Sequence, residues 1–215
     1  MRSWLRKRWV ALTVSLATLA PLACIAWRYA QGRFVVDPVR QITTITGKTA
    51  LIMLLLTLAV TPARRILGLR TLAPARRVLG LAAFGYAALH LLIYAGWDYG
   101  FNLALLGPAL VSQRFIVAGL AAFVLMLPLA ITSTAGWMRR LGRRWSRLHW
   151  LVYPAAGLVI GHFLWLRKDP REPLRYGGAL ALLFVLRIPA VERTLIRARQ
   201  RLAPGRGDEG RDGGR

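Results

Sequence analysis

The chain is poor in acid and almost without cysteine. Eight Asp and Glu stand against 31 Lys and Arg, and Cys24 is the one cysteine in 215 residues. A single cysteine excludes an internal disulfide and a cysteine-based metal centre. No acidic residue lies inside any long apolar block, which argues against a proton-coupled transporter or an aspartyl-type intramembrane protease. No phosphate-binding glycine loop, nucleotide fold or internal repeat is evident. Histidine is also scarce, at three residues.

What is abundant is apolar sequence. Hydrophobic residues make up 56% of the chain, and its mean hydropathy is +0.44. They fall in long uncharged blocks rather than in periods of two or 3.6, as expected when the bilayer is the solvent. The net charge of +23 lies almost wholly between those blocks. Removing the blocks leaves no soluble basic domain, so nucleic acid is not an expected partner. Basic loops beside spans are instead a topology signal, and the only contacts they imply are with membrane lipids.

The expected fold class is all-α, a polytopic bundle of six transmembrane helices. Span one lies between Arg8 and Arg28, with Trp9 and Trp27 at its interfacial ends. Its basic start resembles a signal peptide, but Pro21-Leu22-Ala23-Cys24 is a poor lipoprotein-type cleavage site, so a retained span is expected. Span two lies between Lys48 and Arg64 and is short, although the Ile42–Thr49 segment can extend it. Span three covers Val78 to Trp97, span four Phe115 to about Met138, and span five Leu148 to Leu166. Span six, from about Pro173 to Pro189, is the weakest, with its uncharged centre between Arg175 and Arg187.

Four basic residues at the amino terminus, five in the 2–3 loop, five in the 4–5 loop and eight at the carboxyl end total 22 on one side. Nine lie on the other, so both termini are expected in the cytoplasm. The chain then divides into residues 1–8, a cytoplasmic amino terminus, residues 9–190, the six-helix membrane domain, and residues 191–215, a basic cytoplasmic tail expected to be disordered. After Leu202 that tail has nothing to bury and is expected to lack structure.

All three histidines sit in or at the ends of spans, where ionisable side chains are costly and usually have a functional partner. A lone neutral imidazole bonded to a neighbouring helix would be unremarked, but three on two helices are harder to explain that way. His90 lies about 18 Å along span three from Val78, and His162 about 21 Å along span five from Leu148, at the usual helical rise. Those spans run parallel, so the two rings can face each other at similar depth. Two neutral imidazoles from facing helices supply both axial positions of a haem iron. Gly85, Ala88, Gly157 and Gly161 nearby leave room for a flat macrocycle, although small residues also serve plain helix packing.

His149 lies roughly 20 Å below His162 on the same span and can serve a second haem near the cytoplasmic face. The matching slot on span three holds Arg76 or Arg77, which cannot ligate iron but can pair with a propionate or a lipid phosphate. A zinc site would need further ligands at one depth, and His149 is too distant to join the other two. The hydroxyls of Thr132, Ser133 and Thr134 are expected to bond helix backbone rather than act as nucleophiles.

From about residue 36 to 187 the order of motifs resembles the MsrQ (YedZ) family, within the wider ferric-reductase-like transmembrane group. The stretches that carry the resemblance begin with Leu54-Leu55-Leu56-Thr57-Leu58-Ala59-Val60-Thr61-Pro62 and with Arg76-Arg77-Val78-Leu79-Gly80-Leu81 leading to His90-Leu91-Leu92-Ile93-Tyr94. Leu127-Pro128-Leu129-Ala130-Ile131-Thr132-Ser133-Thr134, Leu141-Gly142-Arg143-Arg144-Trp145 and Leu148-His149 come next. His162-Phe163-Leu164-Trp165 and Arg171-Glu172-Pro173-Leu174 complete the series. Each is an ordinary membrane-helix phrase, and the order and spacing make the set specific. Where the family tends to have Asn-Pro-Val-Glu before a Thr-Gly pair, this chain has Asp37-Pro38-Val39-Arg40 and then Thr46-Gly47. That departure bears on docking to a partner more than on the haem site.

The resemblance implies a haem-b electron-transfer subunit of the bacterial inner membrane that also binds FMN, with the family's histidines at His90, His149 and His162. It further implies electrons from the quinone pool or a cytoplasmic flavin reductase, and delivery to MsrP, a periplasmic molybdopterin enzyme that repairs methionine sulfoxide. Independently, residues 191–215 are too few for the flavin and nicotinamide domain that ferric reductases carry. A relay is therefore expected. Its rivals are a ferric-reductase-like cytochrome that reduces a small acceptor directly, and a non-redox scaffold or transporter with structural histidines.

Overall fold

The structure, a computed structural model, describes residues 2–202, and every regular element among them is helical. A helix satisfies its own backbone hydrogen bonds, which lipid cannot do for it. Helix α1 spans Arg2–Ala30 and α2 spans Pro38–Ile66. α2 starts where the Asp37 carboxylate accepts the backbone N–H of Arg40 at 3.0 Å, with Pro38 preset for the first turn. It therefore exceeds the uncharged block after Lys48. In the segment before that block the hydroxyls of Thr43, Thr46 and Thr49 turn back onto carbonyls one turn earlier, so the helix continues with its polar side chains satisfied.

A 3₁₀ turn at Arg70–Leu72 leads into α3, Ala75–Ile93, which continues as a π-helical turn over Tyr94–Asp98. A short apolar helix, α4 (Leu103–Ser112), begins where the Asn102 side chain accepts the Ala104 N–H. Helix α5 (Arg114–Ile131) stops earlier than the expected end of span four near Met138. Thr132 and Ser133 donate to the carbonyls of Pro128 and Leu129, both at 2.6 Å, and so close the helix end. The chain restarts on the Thr134 cap as α6 (Ala135–Leu141), followed by α7 (Arg143–Leu148), a 3₁₀ turn at His149–Leu151 and α8 (Val152–Leu166). Last are α9 (Arg171–Val185) and α10 (Pro189–Leu202). Residues 191–202, expected within a disordered tail, are instead helical as part of α10, and the rest of that tail lies outside the described residues.

Five stretches among the described residues are long and apolar enough to cross a membrane: Trp4–Ala30, Pro38–Ile66, Ala75–Asp98, Arg114–Ile131 and Arg143–Leu166. The expected sixth span corresponds to α9, whose 15 residues reach about 22 Å. That is short of a typical hydrocarbon core of about 30 Å.

Helix α2 packs along α3, and α5 along α8, as two pairs, while α1 rests on α3. Ala83, Ala155 and Ala156 are buried at the contacts, where small side chains let backbones approach. The stacked rings of Phe84 and Phe123, 5.2 Å apart, join one pair to the other. Helix α9 is fastened to α2 at both ends. Lys48 meets Glu172 at 2.5 Å at its start, and Arg187 donates to the Leu58 carbonyl at 2.5 Å and the Tyr153 hydroxyl at 2.6 Å past its end. Leu16, Leu92, Val124 and Leu182 remain exposed, as suits a bundle whose outer solvent is lipid.

Candidate functional site

The two helix pairs bring His90 of α3 and His162 of α8 together. Their rings lie 6.1 Å apart, centre to centre, with planes at 88°. Each ring is held from the partner helix of its own pair. The His90 Nδ1 donates to the Thr43 carbonyl of α2 at 2.9 Å, and the His162 Nδ1 to the Phe115 carbonyl of α5 at 2.6 Å. A carbonyl can only accept, so both Nδ1 atoms carry the proton. Each neutral imidazole is left with its lone pair on Nε2, the form in which histidine binds a metal.

The spacing suits such a metal. An imidazole–metal bond of roughly 2 Å, with about 1 Å from nitrogen to ring centre, taken on both sides, gives about 6 Å. Threonines 43 and 46 turn their hydroxyls onto their own helix, so they offer no competing ligand. Among the described residues no group of three or more His, Cys, Asp or Glu could hold a metal ion by itself. The donor set therefore fits a group that brings its own equatorial ligands, as a porphyrin does. Gly85 and Gly157, expected to leave room for it, are exposed and have no atom within 4 Å of where a Cβ would be.

His149 stands apart from this pair. Its ring stacks on Trp145 at 3.8 Å, and its Nδ1 bonds the Trp145 carbonyl at 3.1 Å. The Trp145 indole in turn donates to the Thr132 carbonyl at 2.9 Å. Of the two candidate arginines opposite, Arg77 is exposed, whereas Arg76 is half-buried and within electrostatic reach of His149, Arg187 and Tyr153. The Arg187 Nε and the Thr61 hydroxyl are buried without a hydrogen-bond partner. His149, Arg76 and Arg187, groups able to bind an anion, thus lie on one side of the bundle.

Sequence reasoning missed Gly47 and Gly119, the residues against which the imidazoles lie. It missed Thr43 and Phe115 as well, because both act through backbone carbonyls. A signal was available: both bonded pairs are separated by the same 47 residues.

Residues 46–160 match the family described as the ferric reductase like transmembrane component. The chain is 45% identical over 182 residues to a protein-methionine-sulfoxide reductase heme-binding subunit MsrQ of Xanthomonas campestris pv. campestris, covering 81% of this chain and 84% of the relative. It is 43% identical over 183 residues to the protein of the same name from Caulobacter vibrioides, covering 84% and 87%. No solved structure matches the chain.

Proposed function

The chain belongs to the MsrQ family, within the ferric-reductase-like transmembrane components, and from that premise we propose that it is a haem-b electron-transfer subunit of a bacterial inner membrane. Its relatives are named as haem-binding subunits of protein-methionine-sulfoxide reductase. In this reading the chain takes electrons from the quinone pool or a cytoplasmic flavin reductase. It passes them to the periplasmic molybdopterin enzyme MsrP, which repairs methionine sulfoxide in oxidised proteins.

The observation that carries the proposal is the His90–His162 pair, 6.1 Å apart and contributed by two different helix pairs. Haem bound there supplies a one-electron carrier whose potential the axial ligands and their surroundings tune. The chain's own residues do the rest. His90 and His162 present Nε2, the carbonyls of Thr43 and Phe115 fix the tautomer, and the apolar bundle keeps water away.

Topology completes the reading. With 22 basic residues on one side and nine on the other, both termini are cytoplasmic and α9 is the sixth span. Its short length is met by local thinning or by snorkelling of Arg175. His149 then lies toward the cytoplasm, where it serves a second haem or FMN, with Arg76 and Arg187 available for propionates or a flavin phosphate.

The test is the absorption spectrum of protein expressed with haem supply, with haem and flavin quantified and the reduced protein offered to its sulfoxide reductase. The expected result is a Soret band and reoxidation by that partner. Absence of the band overturns the cytochrome reading. Reoxidation by free ferric chelates but not by the sulfoxide reductase redirects it to a small-acceptor reductase.

A further inference from the structure

The two helix pairs are built alike around their histidines, although the sequence shows no repeat. In α2 and α3, the His90 ring bonds the Thr43 carbonyl and lies against Gly47, one turn further along α2. In α5 and α8, the His162 ring bonds the Phe115 carbonyl and lies against Gly119, one turn further along α5. The same 43-residue interval separates Gly47 from His90 and Gly119 from His162.

Neither position has space for a side chain. A Cβ on Gly47 would stand 2.9 Å from the His90 Nδ1 and 3.0 Å from its Cε1. On Gly119 it would stand 2.7 Å and 3.0 Å from the same atoms of His162. At the other helix–helix contacts glycines are looser, a Cβ on Gly80 meeting Thr57 at 3.5 Å and one on Gly177 meeting Ile160 at 3.4 Å, while one on Gly96 would meet Phe101, five residues on, at 2.9 Å. Close approach of the imidazole is therefore particular to the two glycines beside histidines.

We propose that Gly47 and Gly119 are a matched pair of positioning residues that set the planes of the two haem-ligating imidazoles, holding them near perpendicular across the iron. The proposal rests on the haem-ligand reading above. The Nδ1–H···O bond limits the ring's rotation about its Cβ–Cγ bond, but a hydrogen bond tolerates tens of degrees of misalignment and leaves the plane loosely set. The bare glycine surface supplies a second contact, which narrows that range. A methyl group at either site pushes the ring off its carbonyl, lengthening the bond that raises ligand basicity. For two imidazoles sharing one metal axis, the 88° between the rings is their dihedral angle. That angle governs the orbital splitting of low-spin ferric iron and so the anisotropy of its electron paramagnetic resonance spectrum.

The experiment uses the full-length haem-loaded protein. Wild type is expected to give the strongly anisotropic low-spin signal of near-perpendicular imidazoles. Gly47→Ala and Gly119→Ala are each expected to shift that signal and the midpoint potential, or to lose haem while keeping wild-type helical content. Gly80→Ala and Gly177→Ala are expected to leave both readouts unchanged. A wild-type signal of near-parallel imidazoles overturns the proposal even if no variant accumulates. So do Gly47→Ala and Gly119→Ala proteins with wild-type spectrum and potential. Wild-type protein without haem, or an unchanged signal in His90→Ala, overturns the underlying ligand reading instead, and is distinguishable because it does not depend on the glycines.

Discussion

The imidazoles of His90 and His162 lie 6.1 Å apart, yet their side chains come from helices in different pairs and neither ring bonds the other. Each is tied to its own pair by one backbone carbonyl. The space between them is thus framed by two independently held donors, and a metal placed there would join the two halves of the bundle.

Removing either donor should then have the same consequence. His90→Ala and His162→Ala are each expected to abolish the six-coordinate low-spin signal of this site, read by absorption and electron paramagnetic resonance. His149→Ala is expected to leave that signal in place, since its ring is engaged with Trp145 instead. Retention of the signal in both single variants would remove these residues from the iron.

The pair was legible in the sequence because depth is a one-dimensional quantity. Counting residues from the basic ends of two parallel spans places His90 and His162 at like height without any knowledge of packing. Gly47 and Gly119 were not legible in that way, since a glycine's role there depends on which helix faces it and in which rotation. The end of α5 was misread for a similar reason. Apolar character continues past Ile131, and only the hydroxyl bonds of Thr132 and Ser133 show that the helix has closed. α9 was legible as an apolar stretch, but its two-ended attachment to α2 needs coordinates.

Arg187 tests that attachment. Its guanidinium reaches both the Tyr153 hydroxyl and the Leu58 carbonyl, so one side chain links the end of α9 to α8 and α2. Arg187→Leu is expected to destabilise the protein by about 1.5–3 kcal/mol, the usual cost of losing hydrogen bonds to a charged group. Arg187→Lys should recover only part of this, because an ammonium lacks the fork that spans two acceptors. Thermal melts in detergent, followed by loss of helical signal, provide the measurement. Equal stability of all three proteins would show that α9 is held by apolar contacts alone.

The other end of α9 responds to pH. The Lys48 ammonium, hydrogen-bonded to Glu172, holds that carboxyl below its ordinary value of 4.5, with Arg167 and Arg175 adding to the effect. A lowered folded-state pKa means the stabilisation is fully present above the unfolded value and is lost as pH falls through the folded one. The thermal midpoint of wild type should therefore exceed that of Glu172→Gln near neutrality, with the gap closing below pH 4.5. The group is partly exposed, so the gap should be small and should shrink further in high salt. A gap that widens on acidification would contradict the assignment.

The start of α2 carries the last expectation. Asp37 caps the helix by accepting the Arg40 N–H, while itself adopting φ 49°, a left-handed conformation that aspartate and asparagine tolerate. A glutamate at position 40 could reach back to the cap residue's own N–H and would also suit the positive end of the helix dipole, whereas arginine does neither. Asp37→Ala is expected to cost about 1 kcal/mol, and Asp37→Asn close to nothing. Arg40→Glu should stabilise the helix start by about 0.5–1 kcal/mol. The carbonyl of Thr43, three residues past Arg40, holds His90, so fraying here should also loosen the imidazole. Asp37→Ala should therefore broaden the haem signal as well as lower the melting temperature, and Arg40→Glu should do neither. If Asp37→Ala lowers stability but leaves the haem spectrum untouched, the helix start and the ligand carbonyl are mechanically independent.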